Sequence, residues 1–271
     1  FVIINYGSIL NKTKALKILA ELKKRQPINL FSGPYSFKEQ NDFILDPSKQ
    51  KFALTCRRSG KSYAAALMAM NECIHNSTVT VAYIGLTRES SKNIILPHLK
   101  EIKKNFKVNC KFMSSPAEVR FQNGSVIKFF GIDDSESERE KLLGQHFKLV
   151  IIDEVASMTI DLQATIRDYI KPTLMDDEGT LVLTGTPGNL RNYYCDISEG
   201  RIPGWSGHFW LADKNPKVAK QYLKEIEELK ELYPNIEEDS GFQQHYKGKW
   251  TTDTDKKLYK ASPANYIKEL P

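Results

Sequence analysis

The chain has 271 residues, 41% of them hydrophobic, which supports one sizeable α/β core with a smaller appended lobe rather than two full domains. Its 39 Lys and Arg against 33 Asp and Glu leave a net charge of +6, which favours contact with a polyanion such as nucleic acid without demanding it. Cys56, Cys73, Cys110 and Cys195 form no C-x-x-C pair, and the opening run FVIINYGSIL is too short for a bilayer. Neither a disulfide framework, nor a zinc site, nor a membrane anchor is signalled, and a reducing cytosol fits best.

The chain opens on Phe rather than Met, so signals upstream or downstream stay open. Over residues 12–25, Ala15, Leu16, Ile18, Leu19 and Leu22 share one helical stripe, with Asn11 as a cap and Pro27 as a stop. Gly33 and Pro34 mark a loop, FKEQNDFIL reads as a short helix, and KFALTC reads as a buried strand. After RRSGKS, the alanine-rich YAAALMAMNECI has strong helix propensity, so strand, loop and helix follow in order. VTVAYIGL predicts a second strand and residues 88–105 a helix, the βαβ alternation of a parallel sheet. AEVRFQNGSVIKFF alternates around Asn123-Gly124, a dipeptide expected to supply both positive φ angles of a tight hairpin turn. KLVIID and TLVLTG are continuous apolar runs of central-strand type, with a helix expected over 160–170. From Gly207 the strand-like HFWLA, a charged helix over 218–232 and a polar, aromatic stretch to Trp250 read as a small lobe. The closing TTDTDKKLYKASPANYIKELP is polar and holds two prolines, as an interdomain linker would.

The phosphate chemistry lies in CRRSGKS, Cys56 to Ser62. Gly60 lets backbone amides wrap phosphates, Lys61 reaches the β and γ oxygens, and the Ser62 hydroxyl binds Mg²⁺. Thr55 stands where the usual G-x-x-x-x-G-K-[ST] has its first Gly. At the end of LVIID, Asp153 is placed for the metal and Glu154 for the attacking water, as general base. Thr184 and Thr186, around Gly185, end another buried run. Their hydroxyls either sense the γ-phosphate or belong to an ordinary turn. These features predict an α/β P-loop NTPase of the RecA/ASCE-like type, a mainly parallel central sheet flanked by helices with a small lid subdomain. Residues 34–210 form the expected core, 1–33 and 211–255 the lid, and 256–271 the linker.

From about residue 34 to 250 the motifs resemble the large terminase family, viral DNA-packaging motors. Arg57, early in a deviant phosphate loop, matches the family's arginine that acts in cis on the γ-phosphate. Gln40 falls where the family's adenine-reading Gln is expected, although Glu39 replaces the usual aromatic before it. The order FQNGSVIKFFGIDD, LLGQHFKLVIIDE, KPTLMDDEGTLVLTGTPGN is similar to the family's run from hairpin through acidic strand to coupling motif. Leu143 precedes Gly144 where many relatives carry an Arg that reaches a neighbouring subunit's nucleotide, and Arg139 or Lys141 would have to substitute.

The resemblance implies an ATPase using ATP and Mg²⁺. Its nucleotide-binding set is Gln40, Arg57, Arg58, Ser59, Gly60, Lys61, Ser62 and Tyr63. Its catalytic set is Glu154, Arg57 and Lys61, its metal set Ser62 and Asp153, and its coupling set Thr184, Gly185 and Thr186. It further implies double-stranded DNA, a portal protein, a small terminase subunit and a C-terminal nuclease domain of the full-length chain as partners. It implies the host cytoplasm as the location, and a homo-oligomeric ring on the procapsid that is a monomer in isolation. Nothing after Trp250 resembles the nuclease, so DNA cleavage is not expected of these residues.

For DNA contact, the basic stretches are Lys100, Lys103, Lys104, Lys107 and Lys111, and Lys12, Lys14, Lys17, Lys23, Lys24 and Arg25. A solvated helix face is the favoured reading of either stretch. Trp205, Trp210 and Trp250 read as packing residues. A helicase-like translocase, an ATP-binding scaffold with little hydrolysis and a small-molecule kinase are the competing readings. The first lacks room for a second motor domain, the second is opposed by Glu154 and Arg57, and the third fits the Asp-Glu strand less well.

Overall fold

A computed structural model describes residues 28–31, 34–132, 136–188 and 191–251. The helix expected over 12–25 and the linker expected over 256–271 lie outside the described residues.

One eight-stranded sheet organises the described residues. Its strands are β1 (Gln50–Thr55), β2 (Thr80–Gly85), β3 (Cys110–Ser114), β4 (Ala117–Phe121), β5 (Val126–Gly131), β6 (Leu149–Ile152), β7 (Thr180–Gly185) and β8 (Ser206–Trp210). The order across the sheet is β3-β4-β5-β2-β6-β7-β1-β8. Strands β5, β2, β6, β7, β1 and β8 are parallel to one another, and β3 and β4 run antiparallel at one edge. Central strands covered on both faces have no polar side to show, hence the apolar runs FAL, VAYI, LVII and LVL.

The period of two divides each run between two cores. Ala53, Val81, Tyr83, Ile151 and Val182 face helices α1 (Lys38–Leu45), α2 (Lys61–His75) and α3 (Arg88–Phe106). Phe52, Ala82, Ile84, Ile152 and Leu183 face the opposite layer, which includes α5 (Leu162–Thr165) and α6 (Tyr193–Ser198). The short α4 (Glu136–Glu140) precedes β6. Ala64, Ala65, Ala66 and Ala69 of α2 are fully buried, and their small side chains bring that helix close onto the sheet. Helix α3 begins with a reciprocal cap between Thr87 and Ser90.

Three local expectations change. In the β4–β5 turn Gly124 has φ of +86°, but Asn123 stays out of the left-handed region. The Asn123 amide is spent instead on the carbonyls of Cys73 and Asn76 at the end of α2, at 2.8 and 3.0 Å. The helix expected over 160–170 is one α turn, Leu162–Thr165, followed by a wider π turn over Ile166–Ile170 and a tighter one over Lys171–Leu174 around Pro172. The strand at 206–210 leaves the small lobe and joins the sheet, parallel to β1. Beyond it, α7 (Ala219–Leu232) and α8 (Ser240–His245) gather around Cys56 through Ala212, Tyr222, Ile226 and Phe242. Among the described residues no helix is long and apolar enough to cross a membrane.

Candidate functional site

Because the central strands are parallel, their C-terminal ends meet at one edge, where β1, β6 and β7 release the loops carrying the chemistry. The loop between β1 and α2 is tied back through its carbonyls. Asn215 donates its amide to the Arg58 carbonyl at 3.0 Å, Trp210 its indole N–H to that of Ser59 at 2.9 Å, and Gln40 its amide to that of Gly60 at 2.8 Å. The Arg57 N–H donates to the His245 carbonyl at 3.0 Å. Gly60 sits at φ of +86°, and a Cβ there would stand 2.5 Å from the Gln40 amide. With the carbonyls held behind and no side chain capping α2, the first-turn amides of that helix are presented to an anion.

The ammonium of Lys61 meets Glu154 Oε1 at 2.5 Å. Burial works to lower the Lys61 pKa, but the charges of Asp153 and Glu154 outweigh it and the net shift is upward, so the group is a fixed cation. Asp153, fully buried, is surrounded by donors: Tyr83 O–H at 2.6 Å, Thr184 O–H at 2.5 Å, the Glu154 N–H at 2.9 Å and Ser62 O–H at 3.3 Å. Register explains the convergence. Asp153 and Thr184 each follow the Ile152–Leu183 pair, and the period of two turns them to the face of Tyr83 and α2. Glu154 leaves the strand in the left-handed region, φ of 58°, which swings its carboxylate toward Lys61.

Two cavities open on this centre. One of about 960 Å³ is lined by Arg57, Lys61, Glu154 and Thr186 together with Gln244 and His245 of α8. The other, about 380 Å³, is lined by Gln40, Arg58, Ser59, Gly60, Ser62 and Tyr63, with His98, Glu101 and Lys217 at its far side. Lys217 pairs with Glu101 at 2.9 Å and lies 4.9 Å from the Tyr63 ring centre. Burial first, then the Glu101 charge, pushes the Tyr63 phenol up to about 12. Among the described residues the buried Tyr63 and Ser59 hydroxyls have no partner, so both are unspent toward a ligand. Gly185 lies behind Thr184, where a Cβ would touch the Tyr194 ring at 3.0 Å.

Residues 52–264 match the family described as terminase large subunit, T4likevirus-type, N-terminal. The chain belongs to that terminase family. Its fold is that of large terminase ATPase domains. The ATPase domain of the Thermus phage P74-26 large terminase is similar at a TM-score of 0.58 and 20% identity, over 80% of this chain and 94% of that one. The large terminase of a second thermophilic bacteriophage is similar at 0.63 and 16%, over 81% and 54%. The HK97 bacteriophage large terminase is similar at 0.59 and 14%, over 83% and 53%. The chain thus spans about half the length of these last two. The second of the three has been observed in complex with ADP and with ATP-γ-S. No curated protein matches the sequence.

Other terminase candidates are placed as follows. Arg139 of α4 is engaged locally, donating to the Ile132 carbonyl at 2.9 Å and lying 6.0 Å from the Tyr169 ring centre. Lys141 pairs with Glu138. Lys100, Lys103, Lys104 and Lys107 share one recess beside Phe112, whereas Lys111 sits cross-strand from Arg120, away from that recess. Trp250 donates to the Ser198 hydroxyl at 2.9 Å, and Trp205 packs on the core that faces α5 and α6. Trp210 packs too, but also holds the phosphate loop. Tyr83, Asn215 and His245 carried no sequence signal, because each acts across a long stretch of chain and none sits in a motif.

Proposed function

We propose that this terminase chain is the ATPase part of a motor that drives double-stranded viral DNA into a procapsid. The contact that supports this best is the meeting of Lys61 and Glu154 above a carboxylate already held by Ser62 and Thr184.

The phosphates of ATP rest on the first-turn amides of α2, with the base toward Gln40 and Tyr63 and the γ-phosphate toward Arg57 and Glu154. There the γ-phosphate competes with Glu154 for the Lys61 ammonium. Once Lys61 turns to phosphate, the Glu154 carboxylate is free to accept a proton from water. The water oxygen bonds to the γ-phosphorus as the bond to the ADP oxygen breaks, and the proton passes to Glu154. Arg57, exposed on the same cavity, neutralises charge that develops on the transferring group.

Ser62, oriented by the hydrogen bond its hydroxyl gives to Asp153, offers oxygen to a hard cation, and these two residues leave most positions to phosphate oxygens and water. Bound there, Mg²⁺ would supply charge neutralisation across the phosphates. Thr184 reports on Asp153 directly, and Thr186 shares the cavity of the γ-phosphate with Gln244 and His245 of the C-terminal lobe; residues 1–33 and 211–255 together are assigned as the lid. We assign the portal protein, the small subunit and a nuclease domain on the same polypeptide as the assembly partners, with a ring as the working form.

Glu154→Gln tests this reading. General-base catalysis contributes typically about 10² to 10⁴ in rate, so the variant should bind ATP as the wild type does while turnover falls by about that factor. Full-speed hydrolysis by Glu154→Gln overturns the assignment.

A further inference from the structure

We infer that Tyr83 is a positioning residue for the metal–nucleotide complex: its phenol fixes Asp153 so that the one open side of the carboxylate faces Ser62. The inference rests on the ATPase reading above. A carboxylate has about four acceptor sites on its two oxygens. Three are filled at Asp153 by Tyr83 at 2.6 Å, Thr184 at 2.5 Å and the Glu154 N–H at 2.9 Å. These donors sit on β2, on β7 and on the backbone, so none can leave without moving the sheet. The fourth donor, the Ser62 hydroxyl, is the most distant at 3.3 Å and sits off the sheet, at the start of α2. A serine whose proton points to Asp153 turns its lone pairs outward, which is what a hard cation needs.

The phenol is a costly choice for mere filling. Tyr83 is fully buried in the core facing α1, α2 and α3 among apolar neighbours, where Phe would pack equally and leave no hydroxyl to satisfy. Its hydroxyl is spent on Asp153, which shares Oδ2 between Tyr83 and Ser62. Removing the phenol frees Oδ2 to rotate away from Ser62. Partners that orient a metal ligand are typically worth about 10- to 100-fold in metal affinity.

The test is a Mg²⁺ titration of fluorescent ATP-analogue binding by the 271-residue chain, comparing wild type, Tyr83→Phe and Tyr194→Phe. Tyr194 is an equally buried tyrosine whose hydroxyl donates to the Ala53 carbonyl at 2.7 Å rather than to Asp153. Both variants should melt earlier than the wild type. Tyr83→Phe alone should raise the Mg²⁺ midpoint, by about 10- to 100-fold, with nucleotide binding in EDTA unchanged. An unmoved midpoint in Tyr83→Phe, or an equal shift in Tyr194→Phe, overturns the positioning role and leaves the ATPase reading intact. Absence of Mg²⁺-dependent nucleotide binding by the wild type sinks both. Should Tyr83→Phe fail to fold, 3-fluorotyrosine at position 83 serves instead. Its fluorine resonance should move when Mg²⁺ joins the nucleotide-bound protein, and a resonance indifferent to Mg²⁺ overturns the inference.

Discussion

Lys61 and Glu154 are 93 residues apart in sequence and 2.5 Å apart in space, yet both stood out in the sequence because their chemistry is bound to short motifs. Lys51 is the opposite case: nothing in its surroundings marks it. It is 3% exposed on β1, donates to the carbonyls of Ile44 and Asp46 at 3.0 and 2.8 Å, and lies 5.7 Å from the Phe43 ring centre. Burial lowers its pKa to about 8, against opposing pulls from Asp46 and Glu72. The folded chain therefore binds this proton less tightly than the unfolded chain does. The cost to stability is fully present below pH 8 and fades as pH rises toward the ordinary lysine value of 10.5. Relative to Lys51→Met, the wild type should gain stability between those limits, with a slope approaching about 1.4 kcal/mol per pH unit. Urea unfolding of both proteins from pH 7 to 10 checks this, and a constant difference would refute it.

At the scale of elements, the hairpin shows how a correct local reading can miss its own mechanism. The alternation around Asn123-Gly124 did predict two antiparallel strands, and Gly124 does take the left-handed angle. The identity of Asn123 is explained by its side chain rather than its φ: the amide donates to two carbonyls at the end of α2, and Oδ1 accepts from the Ser125 N–H at 3.2 Å. Asn123→Ala should thus destabilise the fold by about 1–3 kcal/mol, the cost of taking the amide donor from the part-buried Cys73 carbonyl, while Asn123→Gly at the same position should recover nothing; the Asn76 carbonyl keeps the Ser125 hydroxyl at 2.7 Å. If turn geometry were the reason for Asn, glycine would restore stability in thermal melts. The phosphate loop repeats the lesson. Its Gly-Lys-Ser was legible, but the three side chains that turn its carbonyls away, from Gln40, Trp210 and Asn215, come from three separate segments.

At the scale of the whole molecule, the lysine-lined recess at the end of α3 is a surface on which the DNA-contact reading can be tested. Lys100 and Lys104 fall on one face of α3, and Lys107, its left-handed C-cap, lines the same recess. Lys103 is partly spent on the Cys110 carbonyl at 2.7 Å and on the Phe112 ring. Replacing the first three by Ala should weaken duplex binding, and the salt dependence should become shallower by about one unit of slope for each phosphate no longer neutralised. ATP binding should be unaffected; unchanged DNA affinity across a salt series would exclude this face. The sequence alone determined the α/β alternation, the phosphate loop and the acidic strand end, because apolar periodicity and motif chemistry are local properties of the chain. Only the tertiary structure decided that β8 closes the sheet beside β1, that Tyr83 grips Asp153 and that the small lobe holds the loop from behind. Those contacts join residues far apart in the chain through packing and single hydrogen bonds, and neither leaves a periodic trace in the sequence.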